Sequence, residues 1–172
     1  HVSEEESYSP KEQSFAYNAL YKEEFYEAGP LARMMANNIP LVKNMHRRFK
    51  DSAYTRVMAR VYELAYLLQH AKELCLKIDI SQESYNKTVD IAQVSAKGLG
   101  VVEAPRGPLI HSIEIEKGII KKFEIITPTQ WNIGSGNKEK PSPAQKAMLG
   151  TFKEDALFIF RTFDVCSVCT TH

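Results

Sequence analysis

The chain has 172 residues, a length that suits one domain with one sizeable hydrophobic core. Hydrophobic residues make up 44% of the sequence and charged residues 25%, which is ordinary for a globular protein. The formal net charge of +1 gives no reason to expect nucleic acid or an anionic membrane as a partner, and no apolar run reaches the roughly 18 residues that span a bilayer.

The chain is predicted to begin with a polar segment and to continue with helices. Residues 1–14 are polar and acidic and predict a surface segment. The aromatic residues that follow, from Phe15 to Tyr26, fit either an amphipathic helix or a surface that packs against another chain. Gly29-Pro30 breaks the chain, and two short helices are then expected, from Leu31 to Asn37 and from about Pro40 to Lys50.

The strongest periodic pattern predicts a long third helix. Six residues recur at intervals of four and three positions and form one apolar stripe: Val57, Val61, Leu64, Leu68, Ala71 and Cys75. The stripe predicts a buried face with Cys75 as an ordinary core residue, and Asp51 or Ser52 is the expected N-cap. The opposite face carries Arg56, Arg60, Glu63 and Lys72. A weaker helical pattern from Ser81 to Lys97 completes a predicted helical region over residues 30–98.

Strands are expected over residues 99–132. Val101-Val102 leads into a proline- and glycine-rich corner from Glu103 to Pro108. Two β-rich runs follow, Leu109–Ile115 and Ile119–Ile126, and the turn Glu116-Lys117-Gly118 between them predicts a hairpin. The segment from Thr127 to Asn132 is expected to end the second strand. The predicted fold is therefore α+β, mainly helical, with a small sheet at about residues 100–128.

Helices are expected to return over residues 141–172 and to lead into a buried metal-binding tail. Ser142 is a plausible N-cap, and a final helix is predicted from about Phe152 to Phe163. The tail places Cys166, Cys169 and His172 within seven residues, which is a metal-ligand cluster by composition. Metal binding is the favoured interpretation, and a redox pair or two inert thiols are the alternatives. Three cysteines do not suit a disulfide framework and fit a reducing compartment better.

Two earlier segments also suit a binding site, although each has a plain structural explanation. Pro105 and Pro108 would hold Arg106 on a rigid platform, from which a guanidinium can bind or polarise a small group. Taken alone, this corner is more simply a hairpin closed by a salt bridge. In the second segment Thr129 offers a hydroxyl beside Pro128, and the simpler explanation is a strand end with a tryptophan in the core.

Together the three segments resemble the C-terminal half of the large subunit of nickel–iron hydrogenases. In chain order they read V-E-A-P-R-G-P-L-I-H, I-I-T-P-T-Q-W-N and F-D-V-C-S-V-C-T-T-H. Two earlier stretches agree with the family, G-P-L-A-R at Gly29–Arg33 and an R-x-x-A-R helix from Arg56 to Glu63. The resemblance runs from about residue 25 to the end, and it implies that residues 1–172 are the C-terminal portion of a larger hydrogenase fold.

The resemblance implies a nickel–iron centre, with CO and cyanide on the iron, held by four cysteines. Cys166 would be a terminal nickel ligand and Cys169 would bridge the two metals. Arg106 would lie over the open metal position and take part in catalysis with Cys166. Four residues would surround the diatomic ligands: Pro105, Thr127, Pro128 and Thr129. His172 and the carbonyl of Ile125 would bind a separate magnesium or iron ion.

The implied activity is heterolytic oxidation or production of H2, with electrons passing to iron–sulfur clusters in a small subunit. The other two cysteines, an N-terminal Cys-x-x-Cys, are not in this sequence, so either this chain is a fragment or the large subunit is split, and a polypeptide carrying that half is then an expected partner and a condition for activity. A cytoplasmic complex, linked to a deazaflavin or a heterodisulfide reductase, is also expected. A non-catalytic zinc- or thiol-binding assembly module is the alternative function.

Two details of the tail bear on the resemblance. Asp164-Val165-Cys166 stands where the family usually has Asp-Pro-Cys, which relaxes the turn but keeps both thiols. His172 matches the position at which the family's subunit ends after proteolytic maturation, so a matured end is expected.

Overall fold

Six helices and two small antiparallel sheets make up the computed structural model, which describes residues 2–6, 17–85, 90–137 and 139–166. The helices are α1 (Pro30–Ala36), α2 (Pro40–Phe49), α3 (Ala53–Cys75), α4 (Pro128–Ile133), α5 (Pro143–Met148) and α6 (Lys153–Arg161). The strands are β1 (Val2–Glu6), β2 (Tyr17–Tyr21), β3 (Ala96–Ala104), β4 (Gly107–Glu116) and β5 (Ile119–Ile126). The predicted α+β class is confirmed. No helix among the described residues is long and apolar enough to cross a bilayer.

The first three helices begin where the sequence predicts. Pro30 and Pro40 stand at the first helical positions of α1 and α2, where the missing N–H costs nothing. The hydroxyl of Ser52 accepts a hydrogen bond from the backbone N–H of Thr55 at 3.3 Å and caps α3. A small apolar core forms where these helices meet, built on Leu31, Met34, Val42 and Ala59.

The orientation of α3 is opposite to the predicted one. Along the apolar stripe Val61 is 54% exposed, Leu64 58% and Leu68 64%, and Cys75 at the helix end is also exposed. The residues that α3 buries are Thr55, Arg56, Ala59 and Glu63. The prediction of a core cysteine is therefore wrong. The periodicity identifies residues that share one side of the helix, but the described chain packs against the opposite side.

A three-stranded sheet carries the predicted corner. Strands β3, β4 and β5 lie in that order, and Pro105-Arg106 forms the tight turn between the first two. The predicted hairpin of β4 and β5 is confirmed, and its turn uses positive φ at Lys117 (48°) and Gly118 (76°). The weak helical pattern over Ser81–Lys97 is wrong, because the described residues there are turns and loop until β3 begins.

Two further segments differ from the sequence prediction. Residues 128–133, expected as a strand end, form helix α4, because Pro128 starts the helix and the side chain of Gln130 accepts from the backbone N–H of Thr127 at 2.5 Å. The expected polar leading segment and aromatic helix contain two paired strands, with Val2 opposite Tyr21. In β2 the fully buried Asn18 hydrogen-bonds both the carbonyl and the N–H of Gly136, which ties the small sheet to the loop after α4.

Candidate metal centre

The segment Glu27–Gly29, just before α1, brings the predicted site segments together. The backbone N–H of Ala28 donates to Oδ1 of Asn132 at 2.8 Å, and Nδ2 of Asn132 donates to the carbonyl of Ala28 at 3.0 Å. This pair of bonds fixes α4 against the segment. Gly29 has a φ of 114°, and a Cβ added there would lie 3.1 Å from the backbone oxygen of Arg106. A glycine is needed at this point because the corner lies so close.

The corner itself is held by Arg33 of α1. Its Nε and Nη2 donate to the two carboxylate oxygens of Glu63 on α3, both at 2.6 Å. Its Nη1 donates to Glu103 at 2.6 Å and to the carbonyl of Ala104 at 2.9 Å, and Nη2 also donates to the carbonyl of Pro105 at 2.7 Å. Burial alone would lower the pKa of Arg33, but the hydrogen bonds and charges of the two glutamates outweigh it and raise the pKa. A permanently charged clamp therefore fixes the backbone on which Arg106 stands.

Arg106 links the corner to the tail. Its Nε donates to the backbone carbonyl of Asp164 at 2.5 Å and lies 3.2 Å from Oδ2 of the same residue. Cys166 follows two positions later and is half-buried. The structure therefore brings two predicted residues, Arg106 and Cys166, into the same region. Pro105, on the outside of the turn, is exposed.

The tail lies against α3 before it reaches Arg106. Nη2 of Arg60 donates to the carbonyl of Thr162 at 3.0 Å, and the guanidinium of Arg56 stacks 4.2 Å from the ring centre of Phe163. Arg56 is in turn paired with Glu27 through two hydrogen bonds of 2.8 and 2.7 Å. Thr162 and Phe163 are only 4% and 5% exposed. The cavity between them and the arginines measures about 10 Å³, which leaves room for at most one water molecule.

The other predicted residues occupy two neighbouring elements. Thr127, Pro128 and Thr129 are all buried at the N-terminal end of α4. Ile125 is half-buried in β5, where it pairs with His111 of β4. Since α4 is bonded to the same Ala28 that adjoins the corner, the corner and α4 share one support.

The sequence matches the family model for the nickel-dependent hydrogenases over residues 2–172. The chain belongs to this family. The alpha subunit of sulfhydrogenase 2 from Pyrococcus furiosus is 29% identical over 172 residues, a match that covers 92% of this chain and 41% of that protein. The alpha subunit of the coenzyme F420 hydrogenase from Methanocaldococcus jannaschii is 31% identical over 147 residues, or 85% of this chain and 31% of that protein.

Solved hydrogenase structures show the same fold. The [NiFeSe]-hydrogenase of Desulfomicrobium baculatum, in an H2-activated form, superposes with a TM-score of 0.81 at 26% identity. The match covers 95% of this chain and 38% of that one. The chain thus spans about two fifths of the length of the sulfhydrogenase subunit and of the Desulfomicrobium chain.

The donor chemistry of the chain fits a thiolate-held metal centre in part. Cys166 carries a soft donor atom two residues after Asp164, whose carbonyl is bonded to Arg106. Cys169 and His172 lie outside the described residues, and within those residues no three His, Cys, Asp or Glu side chains come together as a metal-binding group. The predicted roles of Pro105, Thr127, Pro128, Thr129 and Ile125 stay predictions.

A larger cavity of about 750 Å³ lies elsewhere, between the α2–α3 loop and α5. None of the residues predicted for the metal centre lines it. Arg106, by contrast, lines the small cavity beside Arg56 and Glu27.

Several residues that hold the site together were not singled out by the sequence patterns. Glu27, Arg33, Glu63 and Asp164 act through pairs far apart along the chain, such as Arg33 with Glu63, 30 positions away. One local signal was present: Arg56, Arg60 and Glu63, spaced four and three apart, share one side of a helix. A charged stripe of this kind inside a folded chain requires charged partners.

Proposed function

We propose that this chain is the C-terminal portion of the catalytic subunit of a nickel–iron hydrogenase, supplying one half of a centre that oxidises or produces H2. The observation that carries the proposal is the bond from Arg106 to Asp164, two residues before Cys166. It joins the two segments that the hydrogenase assignment requires to face one metal centre. Membership of the family supports the same conclusion.

Cys166 and Cys169 would hold the metals as thiolates, with two thiolates from another part of the enzyme. When bound, a nickel–iron centre with CO and cyanide ligands supplies the position where H2 is cleaved heterolytically. Both contacts with Asp164 engage Nε of Arg106, and within the described residues no acceptor is bonded to Nη1 or Nη2. These N–H groups can therefore polarise and orient H2 as a fixed cation, without ligating a metal.

The buried start of α4 suits the diatomic ligands. Thr127 and Thr129 carry hydroxyl groups that can donate to the nitrogen of cyanide. Pro128 between them, and Pro105 at the corner, offer apolar surfaces for CO. His172 and the carbonyl of Ile125 would hold a separate magnesium or iron ion, which is the pair of donors that the family resemblance implies.

The proposed partners are inferred from the greater length of the related proteins and from the exposed apolar stripe on α3. Since the chain spans about two fifths of those proteins, the N-terminal Cys-x-x-Cys half of a large subunit is the proposed occupant of the exposed apolar stripe on α3. An iron–sulfur small subunit would accept the electrons. The alpha-subunit relative named for coenzyme F420, a deazaflavin, supports a deazaflavin-linked complex, whereas the link to a heterodisulfide reductase stays a prediction. The cytoplasmic location stays a prediction.

Metal analysis and infrared spectroscopy of the purified complex test the proposal. Iron in excess of nickel is expected, because the iron–sulfur clusters also contain iron, and the decisive signals are about one nickel per complex and the stretching bands of CO and cyanide. Cys169→Ser should abolish both. Zinc at one ion per chain, without nickel and without those bands, would contradict the proposal and favour a zinc-binding assembly module.

The proposed role of Arg106 has its own test. Arg106→Lys should leave the metal content and the infrared bands in place but lower H2 turnover roughly 100- to 1,000-fold, because lysine lacks the planar fork of donors. Arg161→Lys is the matched control, since Arg161 is an exposed arginine in the last turn of α6. Normal turnover in Arg106→Lys would remove this residue from the mechanism.

A further inference from the structure

We infer that Arg56 and Arg60 form a docking site for the tail that fixes residues 162–164 and thereby positions the Cys166 thiol. They are positioning residues, since they act on the thiol through the backbone of the tail. The docking itself is independent of any metal, whereas its catalytic consequence rests on the proposed function.

Three successive tail residues each meet a different arginine. Arg60 donates to the carbonyl of Thr162 at 3.0 Å, and Arg56 stacks on the ring of Phe163 at 4.2 Å. Arg106 then donates to the carbonyl of Asp164 at 2.5 Å. One contact of this kind could be incidental to the packing, but a contact at each of three consecutive residues fixes both the position and the direction of the backbone.

Arg56 is a fixed surface and not a mobile side chain. Its guanidinium is 5% exposed and is held by the two carboxylate oxygens of Glu27 at 2.8 and 2.7 Å. Such a two-point pair sets the plane of the guanidinium, and that plane is what the ring of Phe163 stacks on. The attraction between a cation and a ring is stronger where water is excluded, as it is in this cavity of about 10 Å³.

Arg60 acts at the end of a helix. Thr162 is the C-cap residue of α6, and the last carbonyls of a helix lack partners within the helix. The Arg60 guanidinium supplies a donor there, and a cation is favourable at the negative end of the helix dipole. The end of α6 is therefore fixed to the middle of α3, and the tail leaves from a defined point.

The turn after this point directs the tail toward the corner. Asp164 adopts a positive φ of 55°, a conformation that aspartate tolerates better than most residues. Arg106 holds Asp164 there, and Cys166 lies two positions further. Two residues of chain reach at most about 7 Å, so fixing Asp164 confines the Cys166 backbone to a small volume.

Hydrogen exchange of the purified complex, read by mass spectrometry, tests the docking directly. The backbone N–H groups of Thr162, Phe163 and Asp164 are bonded to carbonyls at the end of α6, so their exchange reports release of the tail. Arg60→Gln and Arg56→Gln should each speed their exchange about tenfold. Peptides from the β4–β5 hairpin should exchange as in the unmodified enzyme.

A second readout measures the thiol itself. In complex produced without nickel, alkylation of Cys166, located by peptide mass spectrometry, should be several times faster in both variants. Arg60→Lys should restore slow alkylation, because one ammonium can serve one carbonyl. Arg56→Lys should not, because lysine cannot pair with both oxygens of Glu27 and stack on a ring.

Unchanged exchange and unchanged alkylation in Arg60→Gln and Arg56→Gln would overturn the inference. Faster exchange in the hairpin as well as in the tail would also count against it, because it reports general loosening of the fold. Neither readout needs nickel or H2, so failure of the docking and failure of the proposed hydrogenase function remain distinguishable.

Discussion

Helix α3 buries its charged side and exposes its apolar side, which is the reverse of an ordinary surface helix. The side that packs within the described chain includes Arg56 and Glu63, both less than 10% exposed. The side that faces outward carries the apolar stripe, on which Leu64 and Leu68 are more than half exposed. In a helix at the surface of a complete domain the apolar side would face the core.

The polar side is stable in the interior because its buried charges, Arg56 and Glu63, each have a charged partner. Arg56 pairs with Glu27, and Glu63 pairs with Arg33, in each case through two hydrogen bonds. Buried charges are tolerated under this condition, and removal of one partner is costly. Under the proposed function, the polar side would organise the metal centre, whereas the apolar side would be the surface for another part of the enzyme.

The largest expected effect comes from placing charge on the apolar side. The double variant Leu64→Asp, Leu68→Asp should prevent assembly of the hydrogenase, because two carboxylates would have to be buried without partners. Loss of co-purifying subunits, of nickel and of all H2 activity is the expected result. The chain itself should keep its α1–α3 contacts, since both side chains point out of it.

Gln69→Asp is the control for that experiment. Gln69 is exposed on the same helix but lies roughly 100° around the helix axis from Leu68. It adds one negative charge beside the stripe, against two on the stripe in the double variant, and assembly should be normal. A fully active complex from the double variant would contradict the role assigned to the apolar side, because it would show that this side remains exposed to solvent in the assembled enzyme.

The parts of the fold that depend on local signals could be predicted from the sequence. Pro30 and Pro40 start helices, and Gly118 allows the hairpin turn, for reasons that lie within a few residues. Helix α4 was missed although its signals were present, since Thr127, Pro128 and Gln130 together form a helix start. The sequence prediction instead treats residues 127–132 as the end of the β-rich run that precedes them.

The direction in which α3 faces could not be predicted, for a different reason. Periodicity shows which residues share a side of a helix, but not which side packs against the rest of the chain. The candidate site could likewise be predicted only in part. Arg106 and Cys166 were identified through their motifs, whereas the clamp of Arg33 and the docking of the tail join residues that are distant in sequence and meet only in the folded chain.

A smaller effect is expected on the polar side from Glu63→Gln. The side chains of Arg33 and Glu63 are 18% and 9% exposed, so loss of the carboxylate leaves a largely buried guanidinium with weaker partners. A loss of about 3 kcal/mol in local stability is expected, at the low end for a broken buried pair because Glu103 remains. Amides of α1 and of the 104–107 corner should then exchange roughly 100-fold faster in the assembled enzyme.

Lys97→Gln provides the comparison for that variant. Lys97 and Glu114 form an ion pair of 3.0 Å across β3 and β4, but Lys97 is 77% exposed. Water screens such a pair, so amide exchange in the sheet should not change measurably. Equal effects of Glu63→Gln and Lys97→Gln would show that the polar side of α3 has no special role in holding the corner.

The smallest of the expected effects comes from a substitution at the N-terminus of α3, and it still distinguishes the roles of the two sides of the helix. Ser52→Ala removes the hydroxyl that accepts from the N–H of Thr55, which should cost about 1 kcal/mol. Because Arg56 lies in this first turn, the change should appear as roughly fivefold faster exchange of amides 55 and 56 and a slight loosening of residues 162–164. The stripe beyond Val61 should be unaffected, and assembly should be normal.

Ser52→Asp, which keeps an acceptor at the cap, should exchange like the unmodified protein. If Ser52→Ala instead weakened assembly as much as charge on the stripe does, the two sides of the helix could not be assigned separate roles.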